Sequence, residues 1–325
     1  MLQQLHRGSA RLSDLVDGQL AKGLLAQGGG LAFYLDPERG NDADDGLSPE
    51  TAFRTLPAAY AALRDGRQDV LFYIAGAGSV KLEASFTWSK SYAHLVGVCA
   101  PTQAGQRARI FQAEAAEDVS PLITISGQGC VFANLYIFQG VDDDGSLVNV
   151  RVSGQRNFFE NVHFAGGGHA SQAIDGGASL QISGGSENTF VRCTIGVDTI
   201  AAGAGMAALV FAATGGAARN RFVDCDFTLQ AGHAGAIFVE LLGNAGLDRY
   251  QLFRDCAFIN LASTALTQAF AVAGGLDPAN KRILLKDCVM VGAAKWDNGD
   301  SGLVYGNMGA VVADDLGGAL VALQE

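Results

Sequence analysis

Apolar and polar positions along this chain recur in one short phrase. It reads Phe190-Val191-Arg192-Cys193-Thr194-Ile195, then Phe222-Val223-Asp224-Cys225-Asp226-Phe227, Phe253-Arg254-Asp255-Cys256-Ala257-Phe258 and Leu285-Lys286-Asp287-Cys288-Val289-Met290. Its cysteines are 32, 31 and 32 residues apart. A further copy, Phe159-Glu160-Asn161-Val162-His163-Phe164, places Val162 31 residues before Cys193, and Phe132-Ala133-Asn134-Leu135-Tyr136-Ile137 lies 27 residues before that. Each phrase has an apolar residue, two mostly polar ones, a Cys, Val or Leu slot, an outward residue and another apolar one. Phe, Val, Ile, Thr and Cys dominate between Gly-rich stretches, which predicts strands rather than helix. The residue before the slot is Asn134, Asn161, Arg192, Asp224, Asp255 or Asp287, and Asn and Asp tolerate left-handed backbone at a bend. The pattern therefore predicts two short strands meeting at a tight bend, with Phe ending one and Cys starting the next. Asn157, Asn188 and Asn220 recur five residues before the slot.

A second apolar run follows each slot: Leu180-Gln181-Ile182, Leu209-Val210-Phe211, Ile237-Phe238-Val239, Phe270-Ala271-Val272 and Leu303-Val304-Tyr305. Turns such as Gly184-Gly185, Gly215-Gly216 and Gly274-Gly275 often come next. Three strands per coil, repeated, predict an all-β parallel β-helix over residues 67–305, with like residues stacked about 4.8 Å apart. The coils within 67–130 are expected to be irregular.

The flanks differ. Residues 1–30 carry Leu2, Leu5, Leu12, Leu15, Val16, Leu20, Leu24 and Leu25, ending at Gly28-Gly29-Gly30. They read as an arm docking on a partner through Leu5, Leu12, Leu15, Leu20 and Leu24, or as a frayed terminus with one helix. Residues 31–66 read as a strand-loop-helix cap over the open end of the solenoid. Its helix is expected over Ala52–Leu63, with Ser48 capping ahead of Pro49 and with Phe53, Leu56, Tyr60 and Leu63 on one face. Residues 306–325, with Val311-Val312-Ala313 and Leu320-Val321-Ala322-Leu323, read as terminal strands, a cap or a subunit contact.

The string Tyr34-Leu35-Asp36-Pro37-Glu38-Arg39-Gly40-Asn41-Asp42-Ala43-Asp44-Asp45-Gly46-Leu47-Ser48-Pro49-Glu50-Thr51-Ala52-Phe53-Arg54-Thr55-Leu56 resembles the opening motif of pectate-lyase-like right-handed β-helix proteins. That group includes bacteriophage virion and tailspike proteins. The resemblance implies the right-handed fold and says little of function, since such proteins include lyases, hydrolases, binders and structural parts.

Composition fits this reading: 43 Gly and 6 Pro suit many tight turns. The net charge of −11 argues against nucleic acid as a partner. No apolar stretch is long enough to span a membrane, and no secretory signal is visible at the N-terminus. The in-frame cysteines read as free, buried thiols; neither a disulfide nor a zinc site is expected.

Candidate chemistry is sparse. Asn41-Asp42-Ala43-Asp44-Asp45-Gly46 fails the calcium-loop pattern at Ala43 and Ala52, so it reads as a turn stiffened by side-chain-to-backbone bonds, and no metal or other cofactor is expected. Asp142-Asp143-Asp144-Gly145 reads as a solvated loop. Register would stack Asp224, Asp255 and Asp287, and glycosidases use carboxylate pairs at roughly 5–9.5 Å. A sugar-cleaving role for that trio is therefore open, although a bend explains Asp without chemistry. The polygalacturonase-like signatures of the family survive only as fragments, Gly168-His169-Ala170 and Arg282-Ile283-Leu284. Trp88 and Trp296 are the large aromatic platforms available.

Two functions follow from the resemblance and this inventory. The first is a structural virion protein of a tailed phage, made in the host cytoplasm. It would be a homotrimeric capsid decoration or cement protein contacting the major capsid protein or other virion proteins, without enzymatic activity. The second is a glycan-binding or polysaccharide-cleaving tailspike-type protein, a lyase or glycoside hydrolase if an enzyme.

Overall fold

The structure, a computed structural model, describes residues 29–272, 281–297 and 304–306. The expected arm with Leu5, Leu12, Leu15, Leu20 and Leu24, the Gly274-Gly275 turn, Leu303 and the strands expected after residue 306 lie outside the described residues.

The chain is a right-handed parallel β-helix. Its coils lay strands on three walls, which form a 16-stranded and a 7-stranded sheet. The first wall includes Val131–Phe138, Phe158–Ala165, Thr189–Val191, Arg221–Val223, Arg249–Arg254 and Lys281–Lys286, and the first two of these continue past the bend. The second wall, beyond the bend, adds Val80–Leu82, Arg109–Gln112, Thr194–Ala202, Asp226–Ala231, Ala257–Asn260 and Val289–Val291. The third wall is the 7-stranded sheet, from Phe86–Trp88 through Ala178–Ile182 to Phe270–Val272. Four of the five apolar runs predicted after the slots fall on it, as in Leu180↔Leu209 and Leu209↔Val239, whereas Val304–Tyr305 of the fifth pairs with Lys281–Lys286 on the first wall.

The bend is where the sequence places it. Asn134, Asn161, Arg192, Asp224, Asp255 and Asp287 all have φ between 50° and 57°. Arg192 lacks the short polar side chain that eases this conformation; its guanidinium pairs with buried Glu160. Immediately after the bend, Leu135, Val162, Cys193, Cys225, Cys256 and Cys288 stack in the core at 0–2% exposure. The cysteines are free. Each in-frame thiol donates to the carbonyl of the Phe one coil earlier: Cys193 to Phe159, Cys225 to Phe190, Cys256 to Phe222 and Cys288 to Phe253, at 3.4–3.7 Å. Burial and the neighbouring thiol push Cys225 and Cys256 well above the usual thiol range, as expected for small core residues rather than nucleophiles.

Two further ladders run beside the thiols. Phe132, Phe159, Phe190, Phe222 and Phe253 stack with centroids 4.5–5.1 Å apart. At the opposite corner, Oδ1 of Asn157, Asn188 and Asn220 accepts from the backbone N–H of Cys130, Asn157 and Asn188, at 2.8–2.9 Å. Gln251 extends this file by accepting from Asn220 Nδ2 at 2.9 Å. The recurring Asn thus satisfies a buried donor where the chain turns into the next coil.

The N-terminal cap departs from expectation in detail. Ser48 caps a 3-10 turn, Pro49–Thr51, and the α-helix starts later, at Leu56–Ala62, with Thr55 as its N-cap. Between them Phe53 is extended and bridges Leu35, so it cannot belong to the helix. Among the described residues no helix is long and apolar enough to cross a membrane.

Candidate functional site

The second wall carries the side chains that face outward just after the bend. Register aligns Arg109, Tyr136, His163, Thr194, Asp226, Ala257 and Val289 in one file. Two residues further along each strand, Lys81, Phe111 and Phe138 form the start of a second file, and Thr228, Ile259 and Val291 lie near its end. Alternation along each strand forces this, because the intervening Ile110, Ile137, Phe164, Ile195, Phe227 and Phe258 fill the core. The wall divides into three zones.

The first zone is aromatic. Phe111, Tyr136 and Phe138 form a half-buried cluster with centroids 5.5–5.8 Å apart. The Arg109 guanidinium lies 5.8 Å from the Tyr136 ring centroid. Beside the cluster opens a cleft of ≈ 470 Å³, lined by residues including Lys81, Phe111, Gln112, Glu114, Phe138, Asp142 and His169. Asp142 Oδ1 is 3.4 Å from His169 Nδ1.

The middle zone is roofed. Where later coils turn in one residue, the chain after Val98 makes a detour over residues 99–108 and then starts the strand Arg109–Gln112. This strap lies across the coils that follow. Gln106, fully buried, donates through Nε2 to Asn161 O and Oδ1, both at 3.0 Å. Gly105 N–H donates to His163 Nδ1 at 3.1 Å, and His163 Nε2 donates to Gly196 O at 2.9 Å. Both ring nitrogens are thereby assigned to a neutral imidazole, and burial holds its pKa below the ordinary value. Thr194 Oγ1 donates to Gln103 O at 2.9 Å, and Gln103 Nε2 donates to Asp226. Burial, and then the charge of Asp224, raise the Asp226 carboxyl above the usual range.

The third zone is apolar. Leu261, Val289 and Val291 are 82%, 60% and 49% exposed, with Ile259 half-buried among them.

Asp224, Asp255 and Asp287 stand on the bend itself, at the edge of this wall, one per coil. Their N–H groups take part in the coil ladder, as in Asp224 to Arg254 O at 2.9 Å and Asp255 to Lys286 O at 2.8 Å. Asp255 also lies 3.4 Å from the Arg254 guanidinium. If conformation selects these residues, Asp255→Asn and Asp255→Gly should leave stability within about 1 kcal/mol of the parent, while Asp255→Val should cost roughly 1–2 kcal/mol more. Urea denaturation of the three variants checks the order; a valine variant as stable as the glycine one would remove the backbone explanation.

Elsewhere, carboxylates are engaged locally. Asp42 accepts from the N–H groups of Arg54 and Thr55 at 2.8 Å, and Asp45 from that of Leu47 at 3.0 Å, so the acidic loop is a braced turn. Asp143 accepts from the N–H of Asp118 at 2.8 Å. On the third wall, burial and then Asp175 raise Glu240. Among the described residues no group of three His, Cys, Asp or Glu is placed to hold a metal ion.

Trp88 and Trp296 are not platforms: they are 1% and 0% exposed and fill the core. On the second wall the outward aromatics are Phe111, Tyr136 and Phe138, and elsewhere Tyr92 is exposed. The outward slot of the repeat phrase was the available signal for Tyr136, His163 and Asp226. Nothing in the sequence around Gln103 marks it as a partner of Asp226.

No protein-family model matches this sequence, and no curated protein matches it either. Solved structures do match. A rhamnogalacturonan lyase is similar at 13% identity and a TM-score of 0.59, over 86% of this chain and 73% of that one. A pectin methylesterase from Aspergillus niger is similar at 12% identity and a TM-score of 0.53, over 90% and 95%. The pectin methylesterase PemA from Erwinia chrysanthemi is similar at 16% identity and a TM-score of 0.51, over 85% and 80%. The likeness is one of fold.

Proposed function

We propose that this chain is a structural protein of a tailed-phage virion, a decoration or cement protein that binds the particle surface and stabilises it. The observation that carries this reading is the apolar third zone. In its two files Asp226 and Thr228 give way to Ala257 and Ile259 and then to Val289 and Val291, beside Leu261 at 82% exposure. Contiguous apolar side chains on an outward sheet face mark a protein contact. The resemblance of the Tyr34–Leu56 motif to virion β-helices supplies the kind of particle. The leucines of residues 1–28 are the proposed anchor, capsid or other virion proteins the partner, and a homotrimer the assembled form.

The test is recovery of the chain in purified particles at a copy number matching capsid sites. A Leu261→Ser, Val289→Ser double variant should keep the parent's circular dichroism and lose most particle binding. Deleting residues 1–28 should do the same. Undiminished binding by both variants would end this reading.

A polysaccharide-cleaving role is the second reading, favoured by the names of the structural neighbours, a rhamnogalacturonan lyase and pectin methylesterases. It requires release of reducing ends or unsaturated sugars that disappears in Asp255→Ala.

A further inference from the structure

We infer that the cleft of the aromatic zone is a binding site for a neutral saccharide. The inference does not rest on particle assembly and assigns no cleavage. Three observations lead to it.

First, Lys81, Phe111 and Phe138 are consecutive members of one file, so a cation and two half-buried rings lie side by side along the cleft. Flat apolar rings beside polar groups suit a ligand with an apolar face and a polar perimeter, which is the character of a pyranose ring. Second, the polar rim offers both donors and acceptors. Lys81 can only donate, Glu114 and Asp142 accept, and the His169 imidazole can do either. Hydroxyl groups, which also do both, match such a rim. One lysine against two carboxylates gives no excess positive charge, so a phosphate, sulfate or nucleic acid strand would meet repulsion there. Third, the base of the cleft is braced: Gln112, buried, donates through Nε2 to Ala116 O and Ser146 Oγ, both at 2.8 Å, and so fixes the turn that carries Glu114.

The rings are held before any ligand arrives. Phe111 and Phe138 pack edge to face at 5.5 Å, and Phe138 stacks on Tyr136 at 5.7 Å. The cleft volume of ≈ 470 Å³ admits a short oligosaccharide. Glycine backs the site: a Cβ at Gly140 or Gly168 would come within 2.2 or 2.4 Å of the Phe138 ring.

The experiment uses the full chain on an array of short neutral oligosaccharides built from glucose, mannose, galactose and their N-acetyl forms, followed by calorimetry with the best binder. Expected is a dissociation constant on the order of 10⁻⁴ M, weakened at least about tenfold by Phe111→Ala. Lys81→Ala, at an exposed position, should weaken binding without touching the core and covers the case in which Phe111→Ala folds poorly. Val289→Ser, on the distant end of the wall, should bind like the parent. The proposal is overturned if no neutral oligosaccharide binds, if a sulfated form of the same sugar binds more tightly than the neutral one, or if the Phe111 and Lys81 variants both bind unchanged.

Discussion

Phe222→Ala is expected to destabilise the β-helix by about 3–5 kcal/mol. Phe222 is fully buried. It stacks between Phe190, at 4.6 Å and 6° between ring planes, and Phe253, at 4.8 Å and 9°, and the edge of Phe227 meets it at 5.8 Å. Truncation removes both stacking contacts and leaves a cavity. The cavity cannot close cheaply, because the backbone fixes the neighbouring rings through Phe190↔Phe222 and Phe222↔Phe253 pairing. The same substitution at Phe132, near the N-terminal end of the ladder, loses one stacking partner at 5.1 Å and one edge-to-face contact with Trp88 at 5.3 Å. In a solenoid most contacts run between neighbouring coils, so damage in the middle divides the stack as well as weakening it. Urea unfolding followed by circular dichroism should therefore show a lower midpoint and a broadened transition for Phe222→Ala, with Phe222→Leu between it and the parent. A loss under about 1 kcal/mol would mean that the ring ladder is not what couples the coils.

The ladder was legible in the sequence because one coil is nearly constant in length. A fixed period puts like residues in register, so the Phe, the slot residue and the bend residue each announce a file. The bend was legible for a second reason: left-handed backbone restricts the choice of residue, which left Asn or Asp at all its positions but Arg192. Features built by exceptions to the period were not legible. The strap over residues 99–108 replaces a one-residue bend by a detour, and its partners, His163, Thr194 and Asp226, lie as far as 123 residues away in sequence. The aromatic cluster draws Phe111 from an irregular coil and Tyr136 and Phe138 from a regular one. Trp88 misled by type: its size suggested a surface platform, and its position on the third wall buries it. The helix boundary was misplaced because Ser48 and Pro49 begin a helical turn that ends at Thr51, before Phe53 turns extended to meet Leu35.

The second large effect is expected at Asp69, where the cap joins the first coils. Asp69 is fully buried and accepts from the N–H of Leu31 at 2.7 Å, the N–H of Arg64 at 2.7 Å and the Arg64 guanidinium at 2.6 and 3.0 Å. One side chain thus joins the start of the first strand to the segment that follows the helix. Burial acts to raise its pKa, but the hydrogen bonds from the Arg64 side chain, Leu31 and Arg64 N–H outweigh it, so the carboxyl sits below the usual range. Asp69→Ala leaves two backbone donors without this acceptor and Arg64 without its partner, at a cost of roughly 2–4 kcal/mol. Asp69→Asn keeps an acceptor but loses the charge, and should fall between. The pH dependence has a definite sign. With the folded pKa depressed, the contribution is complete above the unfolded carboxylate value near ~3.9 and fades as pH falls from there through the folded one. The parent should therefore lose stability more steeply than Asp69→Asn on acidification below about pH 4, and the two curves should converge at the acid end. Because the cap covers the open end of the stack, the loss should appear first as faster amide exchange in Ala32–Leu35 and Asp69–Ile74, ahead of the central coils. Parallel acid-titration curves for parent and Asp69→Asn would show that the carboxylate does not hold the cap in place.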